Sequence, residues 1–142
     1  MDPRTLVTRD VAESGRRLLE RLAGTEVAPL AAMWAQRAER DERPYLFIVT
    51  PVLQTQGPIK AYTAVGNAVR AVNAEAGDPF AEIEPSAVKL LGPSEPLAEG
   101  LLIWDRRHPD DRPTFHNGPS MGGILIDAAY SYPATMFAPQ AA

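Results

Sequence analysis

The chain has 142 residues, no cysteine, 14 prolines and a formal net charge of −4. This length fits a single domain with its own hydrophobic core, so neither disulfides nor a structural metal is required for stability. The absence of cysteine excludes disulfides, cysteine-ligated zinc, iron–sulfur clusters and thiol nucleophiles. Hydrophobic residues make up 45% of the chain and charged residues 23%, which is typical of a globular protein and not of a disordered one.

The N-terminal sequence predicts a cytoplasmic protein. Charged residues are spread through the first ten positions, and no apolar segment of signal-peptide length follows them. The longest apolar runs, Leu46–Val49 and Leu101–Trp104, are far shorter than the roughly 20 residues that span a bilayer. We therefore expect no membrane partner.

The first predicted element is an amphipathic helix over residues 10–24, in which apolar side chains recur at helical spacing. Asp10 is expected to cap it, with Glu13 three residues later completing a capping-box-like pair. Residues 28–38 are compatible with a helix or with the first strand of a hairpin. We prefer the hairpin, because Tyr45–Val49 has a clear strand pattern and needs a neighbouring strand.

A second amphipathic helix is predicted from Pro58 to Gly77. A proline costs little in the first turn of a helix, and glycine is common where a helix ends. The predicted apolar face of this helix consists of Ile59, Tyr62, Val65, Val69 and Val72.

The second half of the chain is predicted to contain a short strand over residues 87–91, a helix that begins near Pro96, and a short strand over residues 114–116. A last strand is expected over residues 124–132. Strict alternation along it would place Ile124, Ile126, Tyr130 and Tyr132 on one face and Asp127 on the other.

These elements predict an α+β fold with the approximate order α-β-β-α-β-α-β-β. We expect a mainly antiparallel sheet with the helices packed on one face. Residues 1–132 are predicted to form one domain, and residues 133–142 a flexible C-terminal tail.

One polar segment contains residue types that bind metals: His108, Asp110, Asp111 and His116. Imidazole and carboxylate ligands suit Zn, Mn or Fe, but this spacing matches no established metal motif. The prolines in the segment indicate a loop, where polar residues are common. We interpret it as a surface loop and retain a metal site as the alternative. His116 and Asp127 are the catalytic candidates, with His116 as a general base.

Residues 118–122 match the G-x-S-x-G nucleophile elbow. That motif requires a strand before it, a helix after it and a histidine further along the chain. Here a strand follows and both histidines precede Ser120, so we interpret the segment as a turn. The sequence contains no P-loop, dinucleotide fingerprint or H-E-x-x-H motif, and no cofactor is predicted.

The negative charge is concentrated in residues 75–99, which carry six acidic side chains against one lysine, a net charge of −5. This segment is expected to be a solvated surface or an edge that faces a basic partner. The arginines occur in clusters that acidic neighbours nearly neutralise, so nucleic-acid binding is a weaker hypothesis. The candidate partner-binding residues are Glu82, Glu84, Glu95 and Glu99.

Several short motifs stand at intervals along the chain: Trp34 in the first strand, Leu46–Pro51 as L-x-I-x-x-P, and Gly57–Tyr62 as G-P-x-x-A-Y. Asp127–Tyr130 has one alanine more than a D-A-Y pattern. Over about residues 10–132 the chain thereby resembles a group of small single-domain bacterial proteins with no established activity. The resemblance implies the hairpin and the single domain, and it implies no activity.

The sequence therefore predicts a small interaction or accessory-subunit protein without catalytic activity. Its predicted partner is a protein, either a second copy or a different chain. The alternatives are a small metal-dependent hydrolase built on the His108–His116 segment and, less favoured, a nucleic-acid-binding protein.

Overall fold

A computed structural model of the chain describes residues 6–109 and 112–136. Its helices are α1 (Arg9–Ala23), α2 (Val52–Thr55), α3 (Pro58–Ala76) and α4 (Pro96–Arg107). Its strands are β1 (Ala31–Arg37), β2 (Tyr45–Val49), β3 (Val88–Leu91), β4 (Thr114–Asn117), β5 (Ser120–Met121) and β6 (Ile124–Tyr132). Single 3-10 turns occur at Pro79–Ala81, Pro85–Ala87 and Ala134–Met136.

The strands form one mixed sheet in the order β3-β2-β1-β6-β4, and β5 pairs with β6. All pairs are antiparallel except β2 with β3. The α+β class and the mainly antiparallel sheet are thus confirmed. The hairpin is also confirmed, because β1 pairs with β2 in the register Ala31↔Val49 to Ala35↔Tyr45.

Helices cover both faces of the sheet, so the expectation that all of them pack on one face is wrong for α4. The α1 face buries Leu18, Leu22 and Trp34 together with the valines of α3. The opposite face buries Met33, Phe47 and other strand residues against Leu97 and Leu101 of α4. Because β1 and β2 are apolar at nearly every position, both of their faces require a covering layer.

A β-bulge reverses the alternation of side chains within β6. Gln36 pairs with Ala128, but the next residue of β1, Arg37, pairs with Ile126. The unpaired Asp127 shifts the pattern by one residue. Ile126 therefore faces α4, whereas Tyr130 and Tyr132 face α1. The prediction that these tyrosines share a face with Ile124 and Ile126 is wrong for this reason.

Two helix details also differ from prediction. Thr8, not Asp10, caps α1: its side-chain oxygen accepts a hydrogen bond from the Val11 N–H at 3.2 Å. In α3, Ile59 is 83% exposed, so the buried stripe consists of Ala61, Val65, Val69 and Val72. The amphipathic pattern located the helix correctly but extended its apolar face one turn too far.

The outer edge of β3 is closed by side chains of the same chain. The Leu90 N–H donates to the Tyr62 hydroxyl at 3.0 Å, and the Gly92 N–H donates to a Glu95 carboxylate oxygen at 2.5 Å. Unpaired N–H groups on an edge strand are the groups that another strand would pair with. These contacts therefore leave the β3 edge poorly suited to strand addition.

The backbone of α4 rests directly on the turn between β5 and β6. A Cβ atom at Gly100 would overlap the backbone of Met121 and Gly122, and one at Gly122 would overlap the Pro96 carbonyl. Gly122 also has φ +59°, a conformation that favours glycine. The second glycine of the G-x-S-x-G match, Gly122, thus serves a close backbone contact.

Packed residues also occur past residue 132, the predicted end of the domain: Pro133 is buried, and Met136 packs against the α1-face core. The remaining residues of the predicted tail, 137–142, lie outside the described part of the chain. Among the described residues, none of the helices has the length and apolar character needed to cross a bilayer.

Candidate functional site

The two histidines lie together in an aromatic corner at the end of α4. The His108 ring stacks on the Trp104 indole at 3.9 Å between centroids, and His116 of β4 meets the same indole edge-on at 4.5 Å. The centroids of the two imidazoles are 5.9 Å apart. We call Trp104, Asp105, His108 and His116 the histidine corner.

Asp105 belongs to this corner, and the sequence analysis did not select it. Its Oδ2 atom is buried and has no hydrogen-bond partner in the described part of the chain. It lines a small cavity of about 140 Å³ together with His108 and Pro133. Burial raises the pKa of Asp105 to about 6, and the charge of nearby His108 partly opposes this shift. The one signal in the sequence is the apolar run Leu101–Trp104, which directly precedes Asp105.

The corner does not assemble a metal site from the described residues, in which no group of three potential His or carboxylate ligands converges. Asp110 and Asp111 lie outside the described residues, so the four-residue metal cluster stays a prediction. The closest catalytic pairing is His116 Nε2 with the Ser131 hydroxyl at 3.4 Å, a long distance for a hydrogen bond. Ser131 is 6% exposed, which leaves little room for a substrate to reach it.

The other catalytic candidate, Asp127, lies apart from this pair. Its side chain is exposed at the bulge of β6, and the register partner of His116 is Ala129. The backbone carbonyl of Asp127 accepts a hydrogen bond from the Gly118 N–H at 3.1 Å. Asp127 is therefore positioned at a turn and is not brought to His116.

The acidic segment is partly neutralised within the chain. Glu75 pairs with Arg21 of α1 at 2.8 Å, and Glu84 pairs with Arg43 at 2.6 Å. Two of the arginines considered for nucleic-acid binding therefore already have acidic partners. The sequence predicts that acidic residues close in the chain neutralise the arginines. These long-range pairs are an addition that the sequence did not predict.

The four candidate partner-binding glutamates consequently differ in whether they already bind another group of the same chain. Glu84 is held by Arg43, and Glu95 accepts the Gly92 N–H. Glu82 and Glu99 are exposed and make no ion pair with any residue in the described ranges. A basic partner at this surface stays a prediction, and it would rest on Glu82 and Glu99.

A larger site lies between α1 and the C-terminal half of β6. This α1–β6 cavity has a volume of about 550 Å³. Its apolar wall consists of Val7, Ala12, Pro113 and the rings of Tyr130 and Tyr132. The tyrosine rings meet edge-to-face with centroids 5.5 Å apart. The side chains of Arg9, Asp10, Glu13 and Arg16 complete the lining.

A buried hydrogen-bond network fixes the floor of the α1–β6 cavity. The Tyr132 hydroxyl donates to the Ala12 carbonyl at 2.6 Å and accepts from Trp34 Nε1 at 3.0 Å. Burial strongly raises the pKa of Tyr132, so this hydroxyl stays protonated. A Cβ atom at Gly15 would overlap the hydroxyl, which explains the glycine on the buried face of α1.

The remaining polar groups of the cavity lining differ in whether they already have hydrogen-bond partners. Arg16 pairs with Glu13, with Nε 3.0 Å from a carboxylate oxygen, and also with Glu20. The Tyr130 hydroxyl, by contrast, makes no hydrogen bond to a described residue and is half-buried. Burial and the charge of Glu13 raise the pKa of Tyr130, so it is a neutral hydrogen-bond donor near pH 7.

The sequence analysis missed this cavity because its residues carry no motif. The sequence pattern of Tyr130 and Tyr132 predicts only which face of the last strand they occupy, and the arginines of α1 belong to one of the nearly neutral charge clusters. The glycine at position 15, in the middle of the apolar stripe of α1, was the one available signal that something approaches the helix closely.

Comparison of the chain with known protein families, curated proteins and solved structures finds no match. The resemblance based on the Trp34, Gly57–Tyr62 and Asp127–Tyr130 motifs therefore stays a prediction.

Proposed function

We propose that this chain is a cytoplasmic binding module without catalytic activity, and that it recognises its ligand in the α1–β6 cavity. The strongest support for this proposal is the volume of the cavity together with the residues that line it. Ligand pockets usually have volumes of roughly 300–1,000 Å³, mostly apolar walls and a few polar groups. The cavity of about 550 Å³, with its two tyrosine rings and one uncommitted hydroxyl, fits that description.

The cavity also favours binding over chemistry. Its most buried polar group, the Tyr132 hydroxyl, uses its hydrogen on the Ala12 carbonyl and accepts from Trp34. A general base or nucleophile needs a free lone pair directed at the substrate, and a general acid needs a free proton. The histidines, which are the side chains best suited to proton transfer near pH 7, are not among the residues that line this cavity.

Filling the cavity with a larger side chain tests the proposal. Ala12→Leu extends an apolar side chain from α1 into the α1–β6 cavity. Ala64→Leu makes the same change at a different cavity of about 500 Å³, beside α3, and serves as the matched control. A library of small neutral, anionic and cationic aromatic compounds is screened by the shift in melting temperature, after circular dichroism confirms that both variants fold.

We expect compounds that raise the melting temperature of the wild type and of Ala64→Leu by a few degrees, because a ligand that binds only the folded state stabilises it. The same compounds should leave Ala12→Leu unchanged. The proposal would be contradicted by a library without any stabilising compound, or by stabilisation that persists in Ala12→Leu.

A further inference from the structure

The charges around the α1–β6 cavity cancel, which bears on the ligand it accepts. The charged lining residues are two arginines, Arg9 and Arg16, and two acids, Asp10 and Glu13. Arg16 and Glu13 already form an ion pair, in which Arg16 Nε lies 3.0 Å from a Glu13 carboxylate oxygen. Arg9 and Asp10 are exposed neighbours of opposite charge that make no ion pair with a described residue. A ligand with a net charge would be attracted by one of them and repelled by the other, so little net attraction would offset its costly loss of water.

The apolar wall indicates the shape of the ligand. The rings of Tyr130 and Tyr132 stand at 86° to each other, so a third ring can meet the face of one and the edge of the other. Val7, Ala12 and Pro113 add apolar surface and no hydrogen-bonding side chain. A flat aromatic body makes more contact with these surfaces than a branched polar molecule would.

The free polar group in the wall indicates the hydrogen-bonding chemistry. The Tyr132 hydroxyl has no proton left to donate to a ligand, because it donates to the Ala12 carbonyl while accepting from Trp34. The half-buried Tyr130 hydroxyl has no partner among the described residues and retains its proton. A ligand that placed a neutral acceptor, such as an amide carbonyl, against this hydroxyl would satisfy the donor without introducing a charge.

We propose that the ligand of the α1–β6 cavity is an uncharged aromatic compound with a carbonyl-type hydrogen-bond acceptor, and that the Tyr130 hydroxyl is the donor that selects it. This inference rests on the proposed function and assigns a chemical class to the ligand. Tyr130 acts as a specificity-determining residue, and the balanced charges of the cavity lining discriminate against benzoate-like anions and benzylammonium-like cations.

Three probes of nearly equal size test this selection: benzamide, benzoate and benzylamine. Binding is followed by the fluorescence of Trp34, which contacts the cavity floor through Tyr132, in a Trp104→Phe background that removes the only other tryptophan. Titrations at pH 7 give a dissociation constant for each probe. Tyr130→Phe removes the proposed donor, and Tyr45→Phe removes a hydroxyl that does not line the cavity.

We expect benzamide to bind about tenfold more tightly than either charged probe. Loss of one neutral hydrogen bond should weaken its binding to Tyr130→Phe about fivefold, while Tyr45→Phe should not differ from its parent. Because Tyr130→Phe is a conservative change at a half-buried position, we expect it to fold. A melting curve of each variant provides the check.

Each contrary result would show that a different part of the proposal is wrong. If benzoate or benzylamine binds most tightly and Ala12→Leu abolishes that binding, the cavity is a binding site but the ligand class is wrong. If benzamide is preferred but Tyr130→Phe binds it equally well, the role of Tyr130 is wrong. If none of the three probes binds and the broader library also gives no stabilising compound, both the ligand class and the proposed function fail.

Discussion

Helices cover both faces of the sheet, but they pack against it differently: one makes a close backbone contact, and the other leaves a cavity. On one face, α4 approaches through Gly100 until its backbone touches the β5–β6 turn, and the cavity near its end measures about 140 Å³. On the other face, the Tyr132 hydroxyl separates α1 from β6, and a cavity of about 550 Å³ lies beside it. The residues with familiar catalytic chemistry lie at the α4 end, whereas the larger space lies on the α1 face. The side chains suited to catalysis and the cavity large enough for a ligand therefore lie at different sites.

The largest expected effect concerns the close contact of α4. Gly100→Ala should destabilise the protein by about 3 kcal/mol, because the added Cβ overlaps backbone atoms that cannot move independently. An alanine in a helix ordinarily stabilises it relative to glycine, so the expected sign is the reverse of the propensity effect. Urea denaturation measures the free energy of unfolding.

Gly66→Ala in α3 is the matched control, since nothing lies within 4 Å of the position where its Cβ would be. It should stabilise the protein by about 0.5–1 kcal/mol. Equal effects of the two substitutions would show that α4 is not in backbone contact with the turn, and the contrast between the faces would lose its basis.

A smaller effect is expected at the histidine corner. The pKa of Asp105 is raised to about 6 from an ordinary value of 3.8, so its ionised form is disfavoured by folding. This penalty is fully present above pH 7, diminishes as the pH falls through 6, and disappears only well below pH 4, where the carboxyl is protonated in both states. Asp105→Asn should therefore stabilise the protein at pH 8 by about 1 kcal/mol, a value discounted for partial exposure.

Urea denaturation of wild type and Asp105→Asn at pH 8 and pH 4.5 separates this effect from any change in packing. The difference in unfolding free energy should shrink by more than half at the lower pH. A variant that is less stable than the wild type at pH 8 would indicate that the Asp105 carboxylate has a stabilising partner. The corner would then be a better candidate for function than we conclude.

Much of the fold could be predicted because it depends on local patterns. The apolar run Tyr45–Val49 required a neighbouring strand, and the proline and glycine at either end of α3 bounded that helix correctly. The burial pattern of β6 could not be predicted, because a bulge at Asp127 depends on its pairing with β1 and not on its own sequence. A shift of one residue then moved both tyrosines to the other face.

The candidate site was harder to predict, because long-range contacts create it. Trp34 and Tyr132 are 98 positions apart, and Ala12 and Tyr132 are 120 positions apart, yet the three meet at the cavity floor. The nearness of His108 and His116 in sequence did anticipate their nearness in space. Sequence alone could not show that Asp105 would join them with a buried, unpartnered oxygen.

The most direct test of the central claim is to map where an aromatic probe binds. Benzamide is titrated into the ¹⁵N-labelled wild-type protein, and the backbone amide shifts are followed. We predict that the largest changes fall on residues 9–16 of α1 and residues 130–132 of β6, with little change at residues 104–108 and 116. Saturable changes centred on Asp105 and the two histidines, with α1 unaffected, would contradict the account and locate the binding site at the histidine corner.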